Sequence, residues 1–205
     1  MPTSAYAKTL GYLFLFIISL ALTGYGWMMQ QFARAQNAYR QGDSVRALEF
    51  YGGAESPFQK LPWMSALFKE EYDHLNLNTV AILYSQGQYQ EALARLEGLR
   101  ADSPSSVETG DYSFWMGNLL FRQAVESKNP ESSVNALKGA LAEYQKGLVA
   151  QPDDWDLKVN YELVRNIFGQ QDRNRQQQEQ KVKTLIEKMR PQEPQRQELA
   201  PEKRG

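Results

Sequence analysis

WMGNLLFRQAVE at residues 115–126 and ALAEYQKGLVAQPDDWDLKVNYELVRNIF at residues 140–168 carry small, aromatic and proline residues at the spacing of stacked helical hairpins. Small residues let two helices approach closely, and a Tyr or Leu one turn later fills the groove between them. Working outward, the same intervals recur twice. One segment has Ala35, Tyr39, Gly42, Ala47, Leu48, Tyr51 and Ala54; the next has Tyr84, Gly87, Tyr89, Ala92, Leu93, Leu96, Leu99 and Pro104. Gly42 and Gly87 stand five residues before Ala47 and Ala92. Each is expected to end a first helix in a left-handed conformation, and Pro104 and Pro152 to mark the break before the next hairpin.

The pattern predicts an all-α, degenerate tetratricopeptide-like solenoid, whose standard period is about 34 residues. Here Ala47 and Ala92 lie about 45 apart, because SPFQKLPWMSALFKEEYDHLN intervenes. In the third hairpin SKNPESSVNALKG is expected as an insertion, and a helix over residues 155–168 is expected to cap the stack. Amphipathic helices alone would also place Ala and Leu four apart. They would not make glycine, alanine, aromatic and proline agree at matched intervals.

Ahead of the repeats, no charged residue occurs from Thr9 to Phe32, and residues 10–29, LGYLFLFIISLALTGYGWMM, are enough for a helix to cross a hydrocarbon core. Tyr12 at one end and Tyr25 and Trp27 at the other fit the two membrane interfaces. A cleaved signal peptide would end in small residues, whereas this run ends in Tyr25, Trp27 and Met28, so an uncleaved anchor is expected. Flanking charge, Lys8 on one side and Arg34 and Arg40 on the other, slightly favours an inward body; a short amino-terminal stub and the charge-insensitive export of long domains oppose it. Three regions follow: an anchor at 1–32, a repeat domain at 33–168, and a tail at 169–205. In the tail, Val182, Leu185, Ile186 and Met189 fall on one helical stripe, and the proline-rich 191–205 is expected to be disordered.

Composition narrows the function. The 205 residues carry a net charge of −1, divided into roughly −6 over residues 33–164 and roughly +4 beyond, too little clustered base for a nucleic-acid partner. The chain has no cysteine, which removes disulfides, thiolate metal sites and a cysteine nucleophile. His74, the one histidine, stands beside Glu70, Glu71 and Asp73, but a usual catalytic zinc set needs more than one histidine. Asp153, Asp154 and Asp156 lack the glycine and downstream glutamate of a calcium loop, and suit the start of the helix at Trp155. Neither a phosphate-binding G-x-x-x-x-G-K loop nor a G-x-S-x-G elbow occurs. No enzymatic activity, cofactor, metal or small-molecule substrate is expected. Trp63, Phe68, Tyr112, Phe114 and Trp115 are aromatic candidates for contact, with Trp115 more suited to the core. Trp63, Asn118, Arg122 and Asn160 are the residues expected to meet a protein partner, the last three along the groove-lining helices.

The third hairpin also carries a resemblance. Gly117, Asn118 and Leu119, then Arg122, Gln123 and Ala124, and after the insert Pro152, Asp154, Trp155, Asp156, Asn160, Tyr161 and Glu162, resemble the MxaK proteins of methanol-oxidation gene clusters and the related BatC-type tetratricopeptide proteins. The resemblance covers about residues 75–168 and, more loosely, the anchor. It implies a single-pass protein of the bacterial inner membrane with a periplasmic body, an accessory to a MoxR-type ATPase and von Willebrand factor A proteins. Such a set is implicated in calcium insertion into an exported client such as methanol dehydrogenase. The competing expectation is a self-associating structural envelope protein without a client.

Overall fold

The computed structural model describes residues 3–189, and all its regular structure there is helical. Helix α1 (Thr3–Arg40) is followed by α2 (Ser44–Lys60), a short α3 (Trp63–Leu67), α4 (Lys69–Ser85), α5 (Tyr89–Asp102), a 3-10 turn (Pro104–Glu108), α6 (Gly110–Glu126), α7 (Pro130–Ala150) and α8 (Trp155–Met189). Two compact units divide at Arg165 and Asn166.

In the first unit, α1 pairs with α2, α4 with α5 and α6 with α7, while α2 packs on α4 and α4 on α6. The turns that close the first two hairpins follow from their glycines. Gly42 and Gly87 have φ of +80° and +76°, which an L side chain adopts only at a cost. With that geometry Asp43 N donates to Ala38 O and Gly42 N to Tyr39 O; Gln88 N donates to Leu83 O and Gly87 N to Tyr84 O. These paired bonds satisfy carbonyls that the ends of α1 and α4 would otherwise leave unmatched. Side chains then start the next helices: Asp43 accepts from Arg46 N, Thr109 from Tyr112 N, Asn129 from Glu131 N and Asp154 from Leu157 N. The last bond is the capping role expected of the acidic cluster after Pro152.

The small residues lie where the helices meet. Ala35, Ala47, Ala54, Ala92 and Ala140 are completely buried. Phe32 packs edge-on to Tyr51, 5.9 Å between centroids, and Phe58 against Tyr72, 5.1 Å. The first two hairpins are also tied by charge, since Arg95 on α5 reaches Glu55 on α2 through two nitrogens at 2.8 and 2.7 Å. Such a forked pair on a largely covered surface keeps more of its strength than an exposed one.

Three helix boundaries fall elsewhere than the regions drawn from the sequence. Residue 32, the expected limit of the anchor, is not a helix end: α1 continues unbroken to Arg40 and buries Met28, Phe32, Ala35 and Ala38 on one stripe. No proline or glycine between Met28 and Arg40 offers a stop. The supposed insertion SKNPESSVNALKG is mostly helix: α7 starts at Pro130, with Ala136 and Leu137 buried. Pro130 at the first helical position and Asn129 before it supply the start. The capping helix does not end at Phe168 either, since α8 runs through Gly169 to Met189. The side chains of Val182, Leu185, Ile186 and Met189, and all of 190–205, lie outside the described residues.

Most of α1 ahead of the hairpin buries nothing. Lys8–Arg40 is the one stretch among the described residues that is long and apolar enough to cross a membrane, and Leu10, Leu13, Phe14, Ile17 and Leu20 all stand exposed. A core helix of a soluble protein would have these side chains covered.

Candidate partner-binding face

The third hairpin places the expected contact residues. Helix α6 crosses α7 closely because Gly117 has no side chain: a Cβ there would stand 2.5 Å from a ring carbon of Tyr144. Gly147 plays the same part toward α8, where a Cβ would meet Leu157 at 2.9 Å. Tyr144 is thereby buried, and burial raises its phenol pKa well above the usual value. Its hydroxyl donates to Asn118 Oδ1 at 2.7 Å, and Asn160 Nδ2 on α8 donates to the same oxygen at 3.1 Å.

Asn118 and Asn160 are therefore brought together, but not as freely offered groups. Asn118 is 9% exposed and its side-chain oxygen joins three helices. Arg122, one turn further along α6, remains half-exposed. Its guanidinium carbon sits 5.1 Å from the centre of the Tyr89 ring, and its buried Nε has no hydrogen-bond partner among the described residues. Tyr89 beneath it, with Tyr84 beside it, raises the guanidinium pKa further despite a smaller opposing effect of burial.

From Arg122 an aromatic chain extends over the same helices. Tyr89 meets Tyr84 at 5.2 Å, Tyr84 meets Trp115 at 5.6 Å, and Trp115 meets Phe114 at 5.0 Å. All four rings are partly exposed. Edge-to-face and tilted contacts of this kind hold rings in place. Beside them a groove of about 390 Å³ between α5, α6 and the start of α7 is lined by Tyr89, Leu93, Leu119, Gln123 and Ser132. Tyr84 and Tyr89 belonged to the repeat pattern in the sequence, and only the fold turns them into surface beside Arg122.

Two other candidates are placed elsewhere. Trp63, 60% exposed, is on α3 beside α1 and does not join Asn118, Arg122 and Asn160. Tyr112 is buried, with a hydroxyl that has no partner among the described residues, so it belongs to the interior. His74 is exposed on α4. Its neighbour Asp73 turns inward, accepting from Lys69 Nζ at 2.7 Å and from Ser106 Oγ at 2.5 Å. Ser106 also shares a hydrogen bond with Ser103, so this polar cluster fastens the 3-10 turn to α4. Among the described residues no three His, Asp or Glu side chains converge as a metal site would require.

Fold and site define a class: an all-helical chain of paired antiparallel helices, led by one helix long enough to span a membrane, with a half-exposed aromatic and arginine face. No protein-family model and no curated protein matches it.

Proposed function

We propose that this chain is a non-catalytic, membrane-anchored adaptor of the tetratricopeptide type, in which α1 spans the inner membrane and the hairpins hold an extended segment of a protein partner in the periplasm. The observation that carries the reading is the continuous face of Phe114, Trp115, Tyr84, Tyr89 and Arg122, built from successive hairpins and left half-exposed. Partly open aromatic rings and an arginine paired with no carboxylate among the described residues are the side chains that most often anchor protein interfaces. The resemblance of the third hairpin supplies the partners: von Willebrand factor A proteins of a MoxR-type system, and an exported client whose maturation they assist.

Proximity labelling from a fusion at Gly205 in the native host tests this. Recovery of a von Willebrand factor A protein with an exported oxidoreductase is the expected result, and Arg122→Glu should reduce that recovery about tenfold by losing a hot-spot contact of roughly 1.4 kcal/mol. Recovery of cytosolic proteins alone would overturn the topology. Recovery of this chain alone would favour the self-associating envelope reading.

A further inference from the structure

Between Lys60 and Lys69 the chain has eight uncharged residues, LPWMSALF, and they stand where a protein would ordinarily avoid exposing them. Leu61, Trp63 and Leu67 are 45%, 60% and 65% exposed. This segment, α3 with its flanks, is packed beside the end of the apolar run of α1. Tyr25 stacks on Phe68, 5.7 Å between centroids, and its hydroxyl donates to Glu71 Oε1 at 3.0 Å. An almost wholly apolar pocket of about 350 Å³ lies between the two, walled by Ala21, Gly24 and Met28 of α1 and by Trp63, Met64 and Leu67.

Position along α1 fixes the depth of this patch. At about 1.5 Å per residue, the run from Leu10 reaches the end of a hydrocarbon core of roughly 30 Å at about Met29. Residues 21–28 therefore occupy the last ~10 Å of the span and its interface. A segment seated against them lies at the same level. The exposed surface of Trp63 and Leu67 is thus continuous with the lipid-facing surface of α1. Trp at such a level, with Lys60 at the flank able to extend its ammonium outward, is the arrangement of a membrane-interface anchor.

We propose that residues 61–68 insert into the membrane interface beside α1, with acyl chains and headgroup glycerols filling the pocket between Trp63, Leu67 and Gly24. This rests on the reading of α1 as a spanning helix. It makes Trp63 a lipid contact and gives the body a second attachment to the bilayer, so that it is held against the surface and not merely tethered.

The absence of cysteine permits a direct test on the full chain reconstituted in phosphatidylcholine–phosphatidylglycerol vesicles. Spin labels at Ile17→Cys, Leu67→Cys and Val149→Cys report accessibility to oxygen and to a water-soluble nickel chelate. Label 17 should be oxygen-accessible and chelate-protected, label 149 the reverse, and label 67 about fivefold less chelate-accessible than label 149, as expected of an interfacial site. In the triple variant Trp27→Phe, Trp115→Phe, Trp155→Phe, the native Trp63 should be quenched by lipids brominated near the glycerol end of the chain. Label 67 as open to the chelate as label 149, with label 17 still protected, overturns the interfacial insertion and leaves the span intact. Label 17 open to the chelate overturns the span and this inference with it. Protection of label 67 without lipid quenching of Trp63 also overturns it, and assigns the patch to a second copy or another protein.

Discussion

Replacing Gly117 by alanine probes the close crossing of α6 and α7. In an isolated helix the change would be favourable, by about 1 kcal/mol from propensity. Here the new methyl would stand 2.5, 2.8 and 2.9 Å from three ring carbons of Tyr144, whereas ordinary carbon contacts begin near 3.5 Å. Relief needs a movement of about 1 Å, and the ring cannot swing away: Tyr144 is 1% exposed and its hydroxyl is held by Asn118. Parting α6 from α7, or losing that bond, costs roughly 2–4 kcal/mol by the usual scale of overpacking plus one buried hydrogen bond. Subtracting the propensity gain leaves a net destabilisation of about 1–3 kcal/mol. Gly98→Ala is the matched control, since it lies within α5 and its Cβ would meet nothing within 4 Å. Urea unfolding of the full chain in detergent micelles, followed by circular dichroism at the helical band, should show a lower midpoint for Gly117→Ala and a slightly higher one for Gly98→Ala. Equal stabilisation by both would refute the close crossing.

Further outcomes follow from other contacts. Gly87→Ala should destabilise by about 1 kcal/mol, read in the same unfolding assay, because φ at +76° leaves alanine in a disfavoured conformation. Glu55→Ala should cost about 1.5–3 kcal/mol, more than Glu162→Ala on an exposed pair, because it strands Arg95, whose Nε already has no partner among the described residues. Burial and then the bond to Asp102 raise the Tyr72 phenol to about 12 from an ordinary 10. The fold binds the proton more tightly than the unfolded chain, so this contribution is complete below pH 10 and is lost as pH rises through 12. Thermal melts across that window should fall less steeply in Tyr72→Phe than in the parent chain.

The helical hairpins were legible because their signals are local. Gly42 and Gly87 announce a left-handed turn, and the alanines at 47, 92 and 140 announce close approach, without knowledge of distant residues. Helix ends without such punctuation were not legible. Between Met29 and Arg40 the membrane pattern gives way to a hairpin stripe inside one uninterrupted helix, and hydropathy drops while helicity does not. The site was legible by helix but not by role. Asn118 and Asn160 meet between α6 and α8, and Arg122 follows Asn118 by one turn, but only the depth of Tyr144 behind Gly117 decides that Asn118 points inward as a hydrogen-bonded joint while Arg122 stays half-open. Asp73 shows the same limit. Among Glu70, Glu71 and His74 it reads as surface, and its burial is set by Ser106, thirty-three residues away.

The passage of α1 into the first hairpin without a linker has a mechanical meaning. A domain joined to its anchor by flexible chain samples orientations freely, whereas a helix shared by both transmits rotation and tilt. With α1 spanning the bilayer, the first hairpin would inherit the tilt of the span, and Gly11, Gly24 and Gly26, which have no neighbours that a Cβ would meet, are the points along it with least side-chain bulk to resist bending. Changes in bilayer thickness would then be read out as changes in the attitude of the body above it, making the direction in which its aromatic and arginine face points a function of the lipid environment.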